Sequence, residues 1–181
     1  MEVAETQHSL HGTLAEVLGV GVLLVGSSGV GKSETALELI QRGHRLVADD
    51  VVELSVEQGR LIGESPELIR HHLEIRGIGI LFVPDLYGRK AVRDSWRVEI
   101  ECRLEPWCAG REYERIGLVR PTRELHGVEL PSLLLPVRPA GNMATLVEVA
   151  VRDHLQRAAG VIAASRLDRR VRNRARQDRG E

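Results

Sequence analysis

An α/β domain with a mixed central sheet and flanking helices is the fold that this 181-residue sequence predicts, and two features carry the prediction. Val20-Gly21-Val22-Leu23-Leu24-Val25 is a continuous, β-branched apolar run, the pattern of a strand buried on both faces. It leads directly into Gly26-Ser27-Ser28-Gly29-Val30-Gly31-Lys32-Ser33, which fits G-x-x-x-x-G-K-[ST] and opens a helix over residues 33–42 carrying Ala36, Leu37, Leu39 and Ile40. In such a loop the backbone N–H groups cradle phosphate oxygens, the lysine reaches the β- and γ-phosphates, and the hydroxyl sits on Mg²⁺. A glycine-rich turn with a merely solvated lysine would need neither the buried strand before it nor the helix after it. Gly43 closes the helix as a left-handed C′ residue.

The remaining elements follow in chain order. Residues 1–9 are polar and expected to fray. His11-Gly12 opens a strand through Val17, and Gly19 turns the chain into the loop-bearing strand, so the two pair as a hairpin. His11 could thereby lie beside the phosphate site, although taken alone it reads as a surface or structural histidine. Residues 44–48 form the next strand, ending in Asp49-Asp50. Adjacent aspartates point in different directions: one can face a metal near Ser33 and the other an acceptor hydroxyl, or the pair can simply cap a turn. Residues 51–62 alternate around Gln58-Gly59 as a hairpin. Glu64-Ser65-Pro66-Glu67 starts a short helix through Leu68, Ile69 and Leu73. Residues 73–80, with Gly77 and Gly79, read as an irregular loop with a surface ion pair, in which Glu74 is a plausible metal carboxylate. Residues 97–107 alternate as a strand with Val98, Ile100 and Cys102 on one face, and 108–124 form a charged connection, mobile until substrate binds. Residues 133–137 are a last buried strand. Gly141-Asn142 then starts a long helix in which Met143, Leu146, Val147, Ala150, Val151, Leu155 and Ala158 recur at helical spacing, the pattern of a core-facing stripe.

Composition bounds the function. The net charge of −1 gives no overall pull toward nucleic acid or membrane. The seven arginines and three acids of residues 166–181 leave that tail at +4, and it reads as disordered or as a solvated helix end; capture of an acidic partner or nucleic acid is its functional alternative. No run is long enough to span a membrane and no signal peptide is apparent, so the expected location is cytoplasmic. Cys102 and Cys108 lack metal-site spacing and are expected as reduced thiols.

The segments His11-Gly12, GSSGVGKSE (26–34), GHRLVADD (43–50), LEIRGIG (73–79), YERIG (113–117) and PVRPAGN (136–142) together resemble the bacterial HPr kinase/phosphorylases over about residues 8–160. LEIRGIG is that family's signature and is far more selective than the phosphate-binding loop. The resemblance implies a P-loop kinase domain, similar to the C-terminal domain of those proteins, spanning residues 1–165 and followed by the basic tail. It implies that the chain is the catalytic domain alone, as in short forms that accompany nitrogen-type phosphotransferase systems.

By the same resemblance, Gly26, Ser27, Ser28, Gly29, Val30, Gly31, Lys32 and Ser33 bind ATP or pyrophosphate, and Ser33 and Glu74 hold Mg²⁺. Asp50 matches the residue that deprotonates the acceptor serine. His11 supports the carboxylate cluster, and Arg115 places positive charge on the transferring phosphoryl group. The implied activity is phosphorylation of a serine on HPr or a related phosphocarrier protein, reversed by phosphorolysis to pyrophosphate. A homo-oligomer, hexameric by resemblance, is expected with the long C-terminal helix at its interface. Gly141 departs from the family pattern, standing where an arginine is usual. A small-molecule kinase of the same fold and a non-catalytic nucleotide-binding module are the alternatives; the retained Lys32, Asp50, Glu74 and Arg115 speak against the second.

Overall fold

The structure is a computed structural model that describes residues 8–139 and 141–177. Sixteen labelled elements follow the chain. They are β1 (His8–His11), β2 (Thr13–Val17), β3 (Val20–Gly26), α1 (Lys32–Gln41), β4 (Arg45–Ala48), β5 (Val51–Glu57), β6 (Arg60–Glu64), β7 (His72–Ile75) and β8 (Gly79–Phe82), then α2 (Val83–Tyr87), β9 (Ser95–Arg97), β10 (Ile100–Pro106), β11 (Thr122–Leu125), β12 (Val128–Val137), α3 (Met143–Ala158) and α4 (Ala163–Gln177).

A mixed six-stranded sheet, ordered β11-β12-β10-β3-β2-β4, forms the centre. β3 runs parallel to β10 and β10 to β12, whereas β2 pairs antiparallel with both β3 and β4. β3 reads as an unbroken apolar run because both its faces are covered. Val22 and Leu24 pack under α1 and α3 with Leu39, Ile100, Cys102, Met143, Val147 and Val151. Leu23 and Val25 face the other way, toward Leu14, Val47, Val52, Leu54, Leu61 and Val98 of a second core. That second core lies against an antiparallel four-stranded sheet, β1-β5-β6-β9. A third cluster, with Ala36, Ile40, Leu46, Leu73, Ile75 and Val83, seats the β7–β8 hairpin against α1.

Local signals gave the right turns. Leu18 and Gly19 join β2 to β3 at φ 53° and 83°, and Gln58 and Gly59 join β5 to β6 at 50° and 75°. Both are two-residue loops of the left-handed kind that suits the strand twist. Gly43 ends α1 at φ 92°. Asn142 caps α3, its side chain accepting from the Thr145 N–H.

Several expectations are corrected. His8 and Ser9 are not frayed, because β1 pairs with β5 through His8↔Leu54 and His11↔Val51; residues 1–7 lie outside the described residues. The helix expected from Glu64 to Leu73 is only a 3₁₀ turn, Glu67–Ile69, ended by extended backbone at Arg70 and by His71 at φ 64°. Residues 73–80 are not an irregular loop but most of the β7–β8 hairpin, because Leu73 and Ile75 gain more from burial against α1 than the segment would from staying solvated. The single strand expected over 97–107 is two. Val98 donates its N–H to Leu61 O in one sheet and Glu99 to Gly21 O in the other, so Val98 joins the second core while Ile100 and Cys102 join the first. This crossing needs Gly21, whose missing Cβ would stand 1.8 Å from Arg97 O. The last sheet strand starts five residues earlier than expected, at Val128. On α3, Met143, Val147, Ala150 and Val151 are buried, but Leu146 and Leu155 are exposed. Within the tail, α4 covers Ala163–Gln177 and residues 178–181 lie outside the described residues.

Candidate active site

The phosphate-binding loop lies between the carboxyl end of β3 and the start of α1, at the edge of the sheet where α/β proteins bind ligands. Glycine is required in it for two distinct reasons. Gly26, at φ 150°, has Leu104 O only 2.4 Å from where a Cβ would project, so the neighbouring strand β10 leaves no room. Gly29 and Gly31 hold φ 79° and 103°, turning the loop so that α1 begins with its N–H groups unpaired by side chains. Lys32 is buried, and its ammonium donates to Gly26 O at 3.0 Å and Ser27 O at 3.2 Å, folding back over the loop it serves.

The two aspartates after β4 point apart, as the sequence suggested. Asp49 is buried and accepts four contacts from three donors. Thr13 Oγ1 lies 2.6 Å from Oδ1, Ser33 Oγ lies 3.0 and 2.9 Å from the two oxygens, and the Glu74 N–H lies 3.3 Å from Oδ2. Burial pushes the Asp49 carboxyl above the ordinary range, and the hydrogen bonds from Thr13, Ser33 and the Glu74 and Asp50 N–H groups offset only part of that. Asp50 occupies the centre of a three-residue turn, φ 66°, closed by Val51 N–H to Asp49 O at 2.9 Å. That left-handed backbone, costly for a residue with a Cβ, swings its carboxylate outward to His11, whose Nδ1 stands 3.1 Å from Asp50 Oδ1. Both side chains are more than half exposed, so this pair faces the solvent from which an acceptor would come.

One cavity of about 90 Å³ brings together His11, Ser28, Gly29, Gly31, Lys32, Ser33, Asp49, Asp50 and Glu74, together with Glu34 and Arg76. Burial depresses the Lys32 ammonium; the carboxylates of Asp49, Asp50 and Glu34 pull it back up, and the Arg76 charge adds to the depression. Arg115 is not in this cavity. It lines a second one of about 890 Å³ with Trp107, Tyr113, Arg138 and Met143, where Tyr113 stacks on Trp107 and Arg138 lies 3.8 Å above the Trp107 ring. Sequence reasoning left open which aspartate meets Ser33, and missed Thr13, Glu34 and Arg76. Thr13 follows His11-Gly12 within the predicted strand, and Arg76 lies inside the signature segment, so position alone could have nominated both.

No group of three or more His, Cys, Asp or Glu among the described residues forms a metal cage. The donor set nonetheless suits Mg²⁺, which takes one or two carboxylates and completes its shell with substrate phosphate and water. The Ser33 hydroxyl and the Asp49 and Glu74 carboxylates are hard oxygen donors bordering the same cavity.

Comparison with known proteins places this geometry in a family. The HPr Serine kinase C-terminal domain model matches residues 2–171. The HPr kinase/phosphorylase of Caldicellulosiruptor bescii is 52% identical over 162 residues, covering 89% of this chain and 52% of that protein. That of Bacillus subtilis is 48% identical over 164 residues, 90% of this chain and 53% of its own. The chain thus spans about half the length of the curated relatives it matches. Among solved structures, the Hpr(Ser) kinase/phosphatase from Coxiella burnetii superposes with a TM-score of 0.78 at 34% identity, over 84% of this chain and 93% of that one. With the loop, the aspartate pair and the LEIRGIG hairpin in place, and the match running almost end to end, the chain belongs to the HPr serine kinase C-terminal domain family.

Proposed function

We propose that this domain transfers the terminal phosphoryl group of ATP or pyrophosphate to a serine of an HPr-like phosphocarrier protein, and runs the reaction backwards when phosphate attacks the phosphorus of the phosphoserine, the serine oxygen departs and takes a proton back from Asp50, and pyrophosphate is the product. The observation that carries the reading is the His11–Asp50 pair at 3.1 Å, held on the open rim of the cavity that contains Lys32 and Ser33. In the kinase direction Asp50 accepts the proton of the serine hydroxyl as its oxygen bonds to phosphorus, and the bond to the leaving ADP or phosphate breaks with its electron pair. His11 orients the Asp50 carboxylate. Lys32 and the loop N–H groups carry the charge of the phosphates, and the same cradle accommodates attacking phosphate or departing pyrophosphate. Mg²⁺, when bound, supplies the neutralising charge on the phosphates; Ser33, Asp49 and Glu74 are the residues that would hold it. Arg115, as the family resemblance implies, contributes its charge from the 107–121 connection.

The relatives' names and the TM-score support this reading, as does the coincidence of the base and the phosphate cradle in one cavity. The same reading makes the domain an oligomer, supported by the exposed Leu146, Val149 and Leu155 on α3, and places it in the cytoplasm. No helix among the described residues is long and apolar enough to cross a membrane. The deciding experiment scores transfer from ATP and from pyrophosphate, with Mg²⁺, to the phosphocarriers of the source organism by intact mass. One added phosphate on a serine, lost in Asp50→Asn, is the expected result. Nucleotide binding without transfer to any carrier would instead indicate a small-molecule acceptor or a regulatory module. Light scattering at micromolar concentration that gave only a 20.1 kDa species would refute the oligomer.

A further inference from the structure

The cavity holds a second cation whose position the phosphate-loop motif does not explain. Arg76 sits at the tip of the β7–β8 hairpin, between Ile75 and Gly79, which face each other in register. Gly77 and Gly79 are at φ 85° and 113° there, and the Ile78 N–H donates to Ile75 O at 3.0 Å, so the tip is a tight turn projecting its arginine. The guanidinium lies across the phosphate-binding loop. Its Nη2 donates to Ser28 Oγ at 2.9 Å, and its Nη1 is 2.7 Å from the place a Cβ on Gly29 would occupy. The absence of a side chain at Gly29 is therefore what admits the arginine.

Three further facts make this more than a loop clamp. Among the described residues Arg76 forms no ion pair with a carboxylate; its polar partner is one neutral hydroxyl. It shares the cavity with Lys32, so two cations rooted in different elements, α1 and the hairpin tip, converge on one small space. Arg115 lines the other cavity and does not. A guanidinium left with a single neutral partner beside a second cation gains most from an anion that it can grip with two parallel N–H groups, and phosphate is that anion.

We propose that Arg76 is a catalytic residue that exchanges the Ser28 hydroxyl for the oxygens of the terminal phosphoryl group, stabilising the charge that spreads over them in the transition state. The assignment rests on the phosphoryl-transfer reading above. The bonds made and broken are those already given; Arg76 exchanges no proton and forms no covalent bond. Because it contacts the group being transferred, its loss falls on kcat more than on KM for the nucleotide.

The test uses the full chain with Arg76→Ala, Arg76→Lys and Lys32→Ala, pyrophosphate with Mg²⁺ as the binding probe, and carrier phosphorylation as the kinetic readout. Arg76→Ala is expected to weaken pyrophosphate binding by about tenfold and lower kcat by about 10²- to 10³-fold, with Arg76→Lys intermediate. Millimolar guanidinium should restore part of both losses in Arg76→Ala and neither in Lys32→Ala. Wild-type binding and turnover in Arg76→Ala would overturn the proposal. Losses accompanied by a lowered Tm and no guanidinium rescue would also overturn it, by making Arg76 a structural clamp on the loop. If the wild type transfers phosphate to no carrier yet binds pyrophosphate in an Arg76-dependent way, the phosphate contact stands and the carrier-kinase reading fails. Absence of pyrophosphate binding in the wild type would overturn both.

Discussion

Replacing Thr13 with valine isolates the force that keeps the Asp49 carboxylate in place. The two side chains are nearly the same size, Thr13 is fully buried, and its one polar atom lies 2.6 Å from Asp49 Oδ1. The exchange therefore leaves the packing and deletes a hydrogen bond to a charged acceptor, worth about 1.5–3 kcal/mol. Asp49 is already pushed above the ordinary carboxylate range by burial, and the Thr13 bond is the largest influence opposing that push, so its removal raises the proton affinity further. The direction with pH follows. A carboxyl whose folded pKa lies above its unfolded one favours folding most while protonated, and that advantage disappears as pH rises through the folded value. The ionised form is the one that needs the Thr13 donor. The cost of Thr13→Val should thus reach about 1.5–3 kcal/mol near pH ~8 and shrink as the ordinary carboxylate range is approached near pH ~4.5. Urea unfolding of both proteins at the two pH values measures it. An equal cost at both, or a larger one at the acidic end, would refute the argument that the bond serves the charged form.

Other consequences can be checked as directly. Cys108 is exposed, whereas Cys102 is fully buried and its thiol is pushed up to about 12 by burial, so an aromatic disulfide reagent at mild alkaline pH should titrate one thiol in the folded protein and a second only in denaturant. Gly29→Ala forces a Cβ into a left-handed conformation and against the Arg76 guanidinium, and should cost about 1–2 kcal/mol in stability together with about tenfold or more in pyrophosphate affinity. Glu16 is raised by burial but more than compensated by Arg93 and Arg45, which leaves it below the usual range. Its contribution is present above the ordinary glutamate range and is lost as pH falls through the folded value. Glu16→Gln should therefore destabilise by about 1–2 kcal/mol at neutral pH and by progressively less in acid.

What could be read from the sequence was what is encoded within a few residues. The phosphate-binding loop, the β2–β3 turn at Leu18-Gly19, the β5–β6 turn at Gln58-Gly59 and the end of α1 at Gly43 each depend on local backbone preference, and each is where the pattern puts it. Features set by distant partners were not legible. Nothing near Leu73 announces that α1 will cover it, so a strand hairpin passed for a helix end and a loop. Nothing in the alternation of residues 97–107 shows that the chain changes sheets at Val98, because both sheets reward the same period of two. In the site, the motif identified Lys32 and Ser33 and the adjacent aspartates declared themselves. Which of the two would turn inward depended on Asp50 adopting a left-handed backbone, a choice made by the crossing between the sheets and not by the dipeptide.

That crossing has a further consequence. The chain passes between the sheets twice within one hydrogen bond's reach, at Gly12 and at Asp49-Asp50, where Gly12 N–H meets Asp50 O at 3.1 Å. On the proposed reading, the loop with Lys32 and Ser33, together with Thr13 and Asp49, holds the phosphate donor from the six-stranded sheet or from the helix and turn joined to it, with Glu74 and Arg76 added from the β7–β8 hairpin. His11 and Asp50, to which the same reading gives the acceptor, sit where the chain enters the four-stranded one. Donor chemistry and acceptor chemistry are therefore inherited on separate pieces of scaffold joined along a seam. Substitutions in β5, β6 and β9 can re-aim the acceptor side during evolution while the donor side is left untouched, so a lineage can change what it phosphorylates without relearning how to hold the phosphate it gives away.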